Sequence, residues 1–134
     1  MSSPAIRNVI SDFFDGLTQG EVDDTLLTES MCFWSVNSGT SEKAKFKQGI
    51  ALLAAVAQKS LKYHIDSLIV EGDRAAAEVS SSGVLSNGDT LENRHVFTFQ
   101  FVDGRIARVS EFMNQQVVAE KIMPLMMALA KQQD

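Results

Sequence analysis

The chain has 134 residues, 45% of them hydrophobic, enough to bury one sizeable core but not two, so a single domain over residues 1–134 is expected. A formal charge of −5 argues against nucleic acid as a partner, because phosphates need a clustered positive surface, and Lys43, Lys45 and Lys47 fit a solvated helix face instead. One cysteine, Cys32, excludes an internal disulfide and a cysteine metal cluster.

The first helix is read from Ile6, Ile10, Phe13 and Leu17, whose spacing puts them on one face. Ser3 as N-cap and Pro4 at the first helical position start it, and Gly20 stops it. Glu21 to Thr28 are expected to continue as a short second helix. The run "MCFWSV", Met31 to Val36, is too short for a helix and reads as a strand, with Cys32 as a small buried hydrophobe. A long helix then follows Thr40 or Ser41, with Phe46, Ile50, Leu53 and Ala57 as its buried stripe. Between Lys62 and Met113 the helical period gives way to three turn signals, "EGD" at Glu71–Asp73, "SNGD" at Ser86–Asp89 and "VDGR" at Val102–Arg105. They divide the segment into four strands, an antiparallel meander with helices packed on one face, and hence an α+β fold. A last helix over about residues 114–131 carries Val118, Ile122, Leu125 and Leu129, and Pro124 is expected to kink it.

Within "HVFTFQFVDGRIARVSEFMN" a histidine and a glutamate sit near opposite ends of the final hairpin. A two-residue loop at Asp103–Gly104 sets His95 opposite Phe112. A type I turn at Val102–Asp103, with Gly104 as a left-handed bulge, sets His95 opposite Glu111. The bulged register gathers Phe97, Phe99, Phe101, Ala107, Val109 and Met113 on one face and leaves Val96, Ile106 and Phe112 on the other, so it is preferred. His95 and Glu111 are then expected as a directly facing cross-strand pair on the apolar face. A carboxylate and an imidazole held there are equipment for moving a proton. A structural hydrogen-bonded pair at the sheet rim, or a pair exposed at the open end, stays open as the alternative.

The order helix, short helix, strand, long helix and meander, with "VEGDRAAAEV", "ENRHVFTFQFVDGRI" and "SEFMN" in sequence, resembles the SnoaL-like family over about Ile6 to Val118. That family lies in the nuclear transport factor 2-like superfamily, beside ketosteroid isomerases, limonene epoxide hydrolases and polyketide cyclases. The resemblance implies a cone-shaped curved antiparallel sheet, the meander plus an N-terminal strand, packed around the helices with an apolar pocket inside. It also implies dimerisation through the outer sheet face. In the ketosteroid isomerase pattern the functional positions fall on Phe14, the neighbourhood of Ser35, and Phe97, which removes that chemistry. In the epoxide hydrolase pattern they fall on Val79 and Ser81, which breaks that triad as well. The cyclase pattern keeps its acid at Glu111, while its histidines fall on Phe97 and Val109 and His95 replaces a polar pocket residue. Asn114 stands where relatives often carry an aspartate. Glu111 and His95 are therefore the catalytic candidates, and Trp34, Phe14, Phe97, Val109 and Met113 the candidate substrate-binding walls.

Two functions follow as expectations. One is an enzyme of the cyclase, isomerase or hydrolase type, working on a small lipophilic substrate by acid–base chemistry. The other is a non-catalytic dimeric module that binds a small apolar ligand or a protein. No metal and no cofactor is expected, since the two histidines lie on separate strands and no glycine-rich phosphate loop joins a strand to a helix. His64 is expected to face solvent or to be satisfied in the core. Met123, Met126 and Met127 read as core or dimer packing, or as an adaptable lid over the pocket. A homodimer is expected through the mixed face of Val96, Thr98, Ile106, Ser110 and Phe112. No apolar run approaches the roughly 20 residues that cross a bilayer, and no leader pattern opens the sequence, so a soluble cytoplasmic protein without a membrane partner is expected.

Overall fold

The first apolar stripe forms helix α1, Ser3–Gln19, with Ile6, Ile10 and Phe13 completely buried and Leu17 nearly so. This computed structural model describes residues 3–133, the side chains of Ser3 and Gln133 excepted, so the expected Ser3 cap lies outside the described residues. Gly20 ends the helix at φ +84°, a left-handed conformation glycine adopts without a Cβ clash, and its N–H donates to the Gly16 carbonyl at 2.8 Å.

The expected second helix shrinks to one 3-10 turn, Asp24–Leu26. The Asp23 carboxylate caps that turn by accepting the Thr25 N–H at 2.8 Å, a local bond that competes with helix continuation. Strand β1, Leu27–Ser35, starts ahead of the expected Met31 because Leu27 is fully buried and pairs with Ile106. A short strand β2, Gly39–Glu42, folds back on β1 with Trp34 opposite Thr40, and its four residues are too few to show a period. Helix α2, Lys43–Val56, buries Phe46 and Ile50 as expected, with Ala57 as its buried C-cap and Leu53 half-buried.

The meander forms as β3, Lys62–Glu71; β4, Arg74–Val84; β5, Thr90–Val102; and β6, Arg105–Met113. The sheet order is β2-β1-β6-β5-β4-β3, antiparallel except where β1 runs parallel to β6. It is curved and does not close, the shape of a cone, with α1 packed on β3 and α2 on β1. One-residue register shifts in β3 and the last hairpin are bulges, which bend and twist a strand locally, and the β1–β6 pairing is interrupted between Leu27 and Cys32. Phe13 anchors the principal core, edge-on to Phe14, Phe97 and Phe99 and stacked on Phe46.

The chain then runs through α3, Gln115–Val117, a π turn at Val118–Ile122, and α4, Met123–Gln133. Pro124 has no N–H, and its ring would clash with the carbonyl one turn back. The helix widens just ahead of it, where the Met123 N–H donates to the Val118 carbonyl, so the expected kink takes the form of a π turn. Val118 and Ile122 pack with Leu61, Leu85 and Leu91 in a second core cluster.

The expected register of the last hairpin is corrected. Asp103 and Gly104 form the two-residue loop, at φ 51° and 81°, and Val102 pairs with Arg105. A bulge follows inside β6, where Gln100 pairs with Arg108 while Phe101 pairs with Ile106, leaving Ala107 as the extra residue. The cause is legible in "IARV": Ile106 and Val109 are three apart, so strict alternation exposes one of them, whereas one extra residue buries both completely. Ile106 therefore belongs to the core and not to the outer face. His95 faces Met113 and Phe97 faces Glu111, so His95 and Glu111 share a face as diagonal neighbours instead of facing directly.

Candidate active site

A cavity of about 420 Å³ lies between the concave sheet face, α2 and the C-terminal helix. Most of its wall is apolar, including Phe33, Phe46, Leu53, Leu61, Phe97 and Met126. One polar group lies at the β1–β2 turn and the start of α2, with Ser35, Ser41 and Lys45, and another on the meander wall, where the ladder explains it. Tyr63 on β3 faces Ser81 on β4, and Ser81 faces Asn93 on β5. His95, two residues beyond Asn93, points to the same face, and Glu111 on β6 joins it across the hairpin. All five line the cavity.

Three of them form one hydrogen-bonded line. His95 Nδ1 lies 2.8 Å from Glu111 Oε2, and His95 Nε2 lies 2.7 Å from Ser81 Oγ. A carboxylate only accepts, so Nδ1 carries the proton that it donates to Glu111. In the neutral ring Nε2 is then the acceptor, and the Ser81 hydroxyl donates to it. The side chains of His95 and Glu111 are only 9% and 17% exposed, so water competes weakly for these bonds. Burial pushes the Tyr63 phenol well above its ordinary value of 10.0, and the Glu111 carboxylate adds to the effect. Tyr63 thus remains a protonated donor.

Phe97 and Met113 line the cavity, but three expected wall residues lie elsewhere. Trp34 sits on the outer sheet face, its ring 5.0 Å from that of Phe112, because β1 alternation turns it away from Phe33 and Ser35. Phe14 is buried behind the wall, edge-on to Phe97 at 4.9 Å, and Val109 is completely buried in the core. Met123 and Met126 reach the cavity, whereas Met127 is 58% exposed. His64 lies on the outer surface with its Nδ1 2.8 Å from Asp66. Among the described residues no group of three or more His, Cys, Asp or Glu side chains is placed to hold a metal ion.

The residues missed in the sequence are Tyr63, Ser81 and Asn93. Alternation pointed to the last two: Ala77, Val79 and Ser81, like Leu91, Asn93, His95 and Phe97, are successive inward positions. A polar residue at the end of such a run marks where core gives way to cavity.

A sequence profile of the SnoaL-like domain matches residues 10–109. The chain belongs to the SnoaL-like family. Solved structures agree on the fold. A candidate SnoaL-like polyketide cyclase from Jannaschia sp. CCS1 superposes with a TM-score of 0.77 at 17% identity, covering 91% of this chain and 95% of that one. A candidate hydroxylase from Streptomyces galilaeus gives 0.75 at 14%, covering 98% and 93%. A candidate isomerase from Rhodopseudomonas palustris gives 0.69 at 14%, covering 92% and 99%. At these identities the likeness concerns the fold. No curated protein matches the sequence. Among the described residues of this SnoaL-like chain, no helix is long and apolar enough to cross a membrane.

Proposed function

We propose that this SnoaL-like protein is a cofactor-independent acid–base enzyme acting on a small lipophilic substrate, with His95 moving the proton and Glu111 fixing the imidazole. The observation that carries this reading is the line Ser81–His95–Glu111 on the wall of an apolar cavity. A base must be held in the right tautomer and orientation beside the reacting atom. Glu111 does the first by accepting from Nδ1, which leaves Nε2 as the basic nitrogen, its lone pair turned toward the Ser81 hydroxyl at the cavity wall. The apolar walls select lipophilic molecules and exclude water, which strengthens each polar contact inside. Structures described as a candidate cyclase and a candidate isomerase share this fold, in keeping with such a reading. A homodimer through the outer sheet face belongs to the same reading, supported by Ile69, Val96 and Phe112 at 67%, 41% and 46% exposure.

Proton abstraction is tested without knowing the substrate, by following deuterium exchange next to the carbonyl of small cyclic ketones in heavy water by NMR. Wild type is expected to accelerate exchange over buffer, and His95→Gln to lose at least roughly 10²-fold of that acceleration. Equal exchange in both proteins would remove the acid–base reading. The non-catalytic ligand-binding module would then be the better account.

A further inference from the structure

We propose that Ser81 is a nucleophile and that the cavity hydrolyses small lipophilic carboxylic esters through an acyl-Ser81 intermediate. This rests on the acid–base reading, because His95 must act as the base. The geometry of the line is one support. A serine hydroxyl is a weak nucleophile until an adjacent base takes its proton, and a third group must orient that base. Ser81 Oγ, 2.7 Å from Nε2, and Glu111 Oε2, 2.8 Å from Nδ1, meet both requirements. Such a constellation is recognised by geometry and roles, not by position in the sequence.

The second support is independent of that line. Asn93 is 7% exposed, and among the described residues its Nδ2 has no hydrogen-bond partner. Its Oδ1 accepts the Arg94 N–H at 2.8 Å, which fixes the amide orientation and leaves Nδ2 as an unused donor. A buried donor without a partner destabilises the fold, a cost removed when a ligand atom accepts from it. Asn93 lines the cavity directly across the ladder from Ser81, roughly 5 Å away at Cβ. A carbonyl attacked by Ser81 develops negative charge on its oxygen, and an amide donor brought within hydrogen-bond reach of that oxygen stabilises the charge.

The steps balance. Ser81 Oγ bonds to the ester carbonyl carbon as its proton passes to His95 Nε2, giving a tetrahedral oxyanion held by Asn93 Nδ2. The carbon–alkoxide bond then breaks, and the alkoxide leaves with the proton from His95. Water, the second reactant, gives a proton to His95 and attacks the acyl-Ser81 carbonyl. Ser81 leaves and recovers that proton, so one ester and one water yield one acid and one alcohol.

Full-length protein is incubated with an alkyl fluorophosphonate, in which attack by serine forms an oxygen–phosphorus bond and expels fluoride, and in parallel with p-nitrophenyl butyrate. Intact mass and peptide mapping are expected to place one equivalent of phosphonyl adduct on Ser81 of wild type, which locates the site without any variant. Adduct formation is expected to slow at least roughly 10²-fold in His95→Gln, and butyrate ester turnover to fall by about 10²-fold in Asn93→Ala. No adduct, an adduct on another residue, or labelling of Ser81 as fast in His95→Gln as in wild type would each overturn the proposal. Ketone exchange retained without an adduct would sink the nucleophile alone, while loss of both would sink the acid–base reading with it.

Discussion

The His95–Glu111 bond can be weighed by a double-mutant cycle using Glu111→Ala, His95→Ala and the pair together. The bond is 2.8 Å long and joins side chains 9% and 17% exposed. Hydrogen bonds involving a charged group contribute about 1.5–3 kcal/mol, against roughly 0.2–1 kcal/mol for exposed ion pairs. Partial burial places this pair in the upper class, so the coupling energy is expected at about 1.5–3 kcal/mol. Each single variant also loses other contacts: His95→Ala leaves Ser81 without its acceptor, a further loss of roughly 1 kcal/mol that the cycle subtracts. Urea unfolding at pH 7 followed by circular dichroism reads the effect. With a slope of about 1–3 kcal/mol/M, a single-variant loss near 2 kcal/mol moves the midpoint by about 1 M. All four proteins are compared at one concentration, because self-association would make the midpoint concentration-dependent. Costs that add to within about 0.5 kcal/mol would refute the reasoning, since they would mean that the two side chains do not interact in solution.

Gly20→Ala should destabilise by at least about 1 kcal/mol, because φ is +84° there and a Cβ would lie 2.7 Å from that of Ala54; a midpoint unchanged in urea would contradict the cap geometry. The Asp66 carboxyl is held below its ordinary 3.8, first by the Ser80 hydroxyl and then by His64. A depressed folded value means that its stabilisation is present above about 3.8 and is lost as pH falls through that lower value. Stability measured from pH 5 to pH 2 should fall less steeply in Asp66→Asn than in wild type. Sedimentation at micromolar concentration should give a dimer for wild type and a monomer for Phe112→Glu, since a charge beside Val96 and Trp34 opposes burial of that face; a monomeric wild type would end the dimer reading.

Helix positions, the four-strand meander and the face shared by His95 and Glu111 were legible in the sequence, because they depend on local periodicity and turn chemistry. Ile6, Ile10, Phe13 and Leu17 repeat at helical spacing, and their burial follows whatever they pack against. "VDGR" carries the Asp-Gly signature of a two-residue turn, but the hydrophobic partition is satisfied with the extra residue in the turn or at Ala107. Both arrangements put His95 and Glu111 on one face, so the sequence predicts the face and only the structure decides the pairing. The side of the sheet that Trp34 occupies is not legible, because a strand with large apolar residues on both sides, Phe33 and Trp34, does not reveal which side faces the core. Tertiary structure alone decided that Ser81 of β4 meets His95 and Asn93 of β5. Those contacts join β4 to β5, and the position of the cavity depends on how the sheet curves around α2 and the C-terminal helix, a property of packing between distant segments that no window of sequence contains.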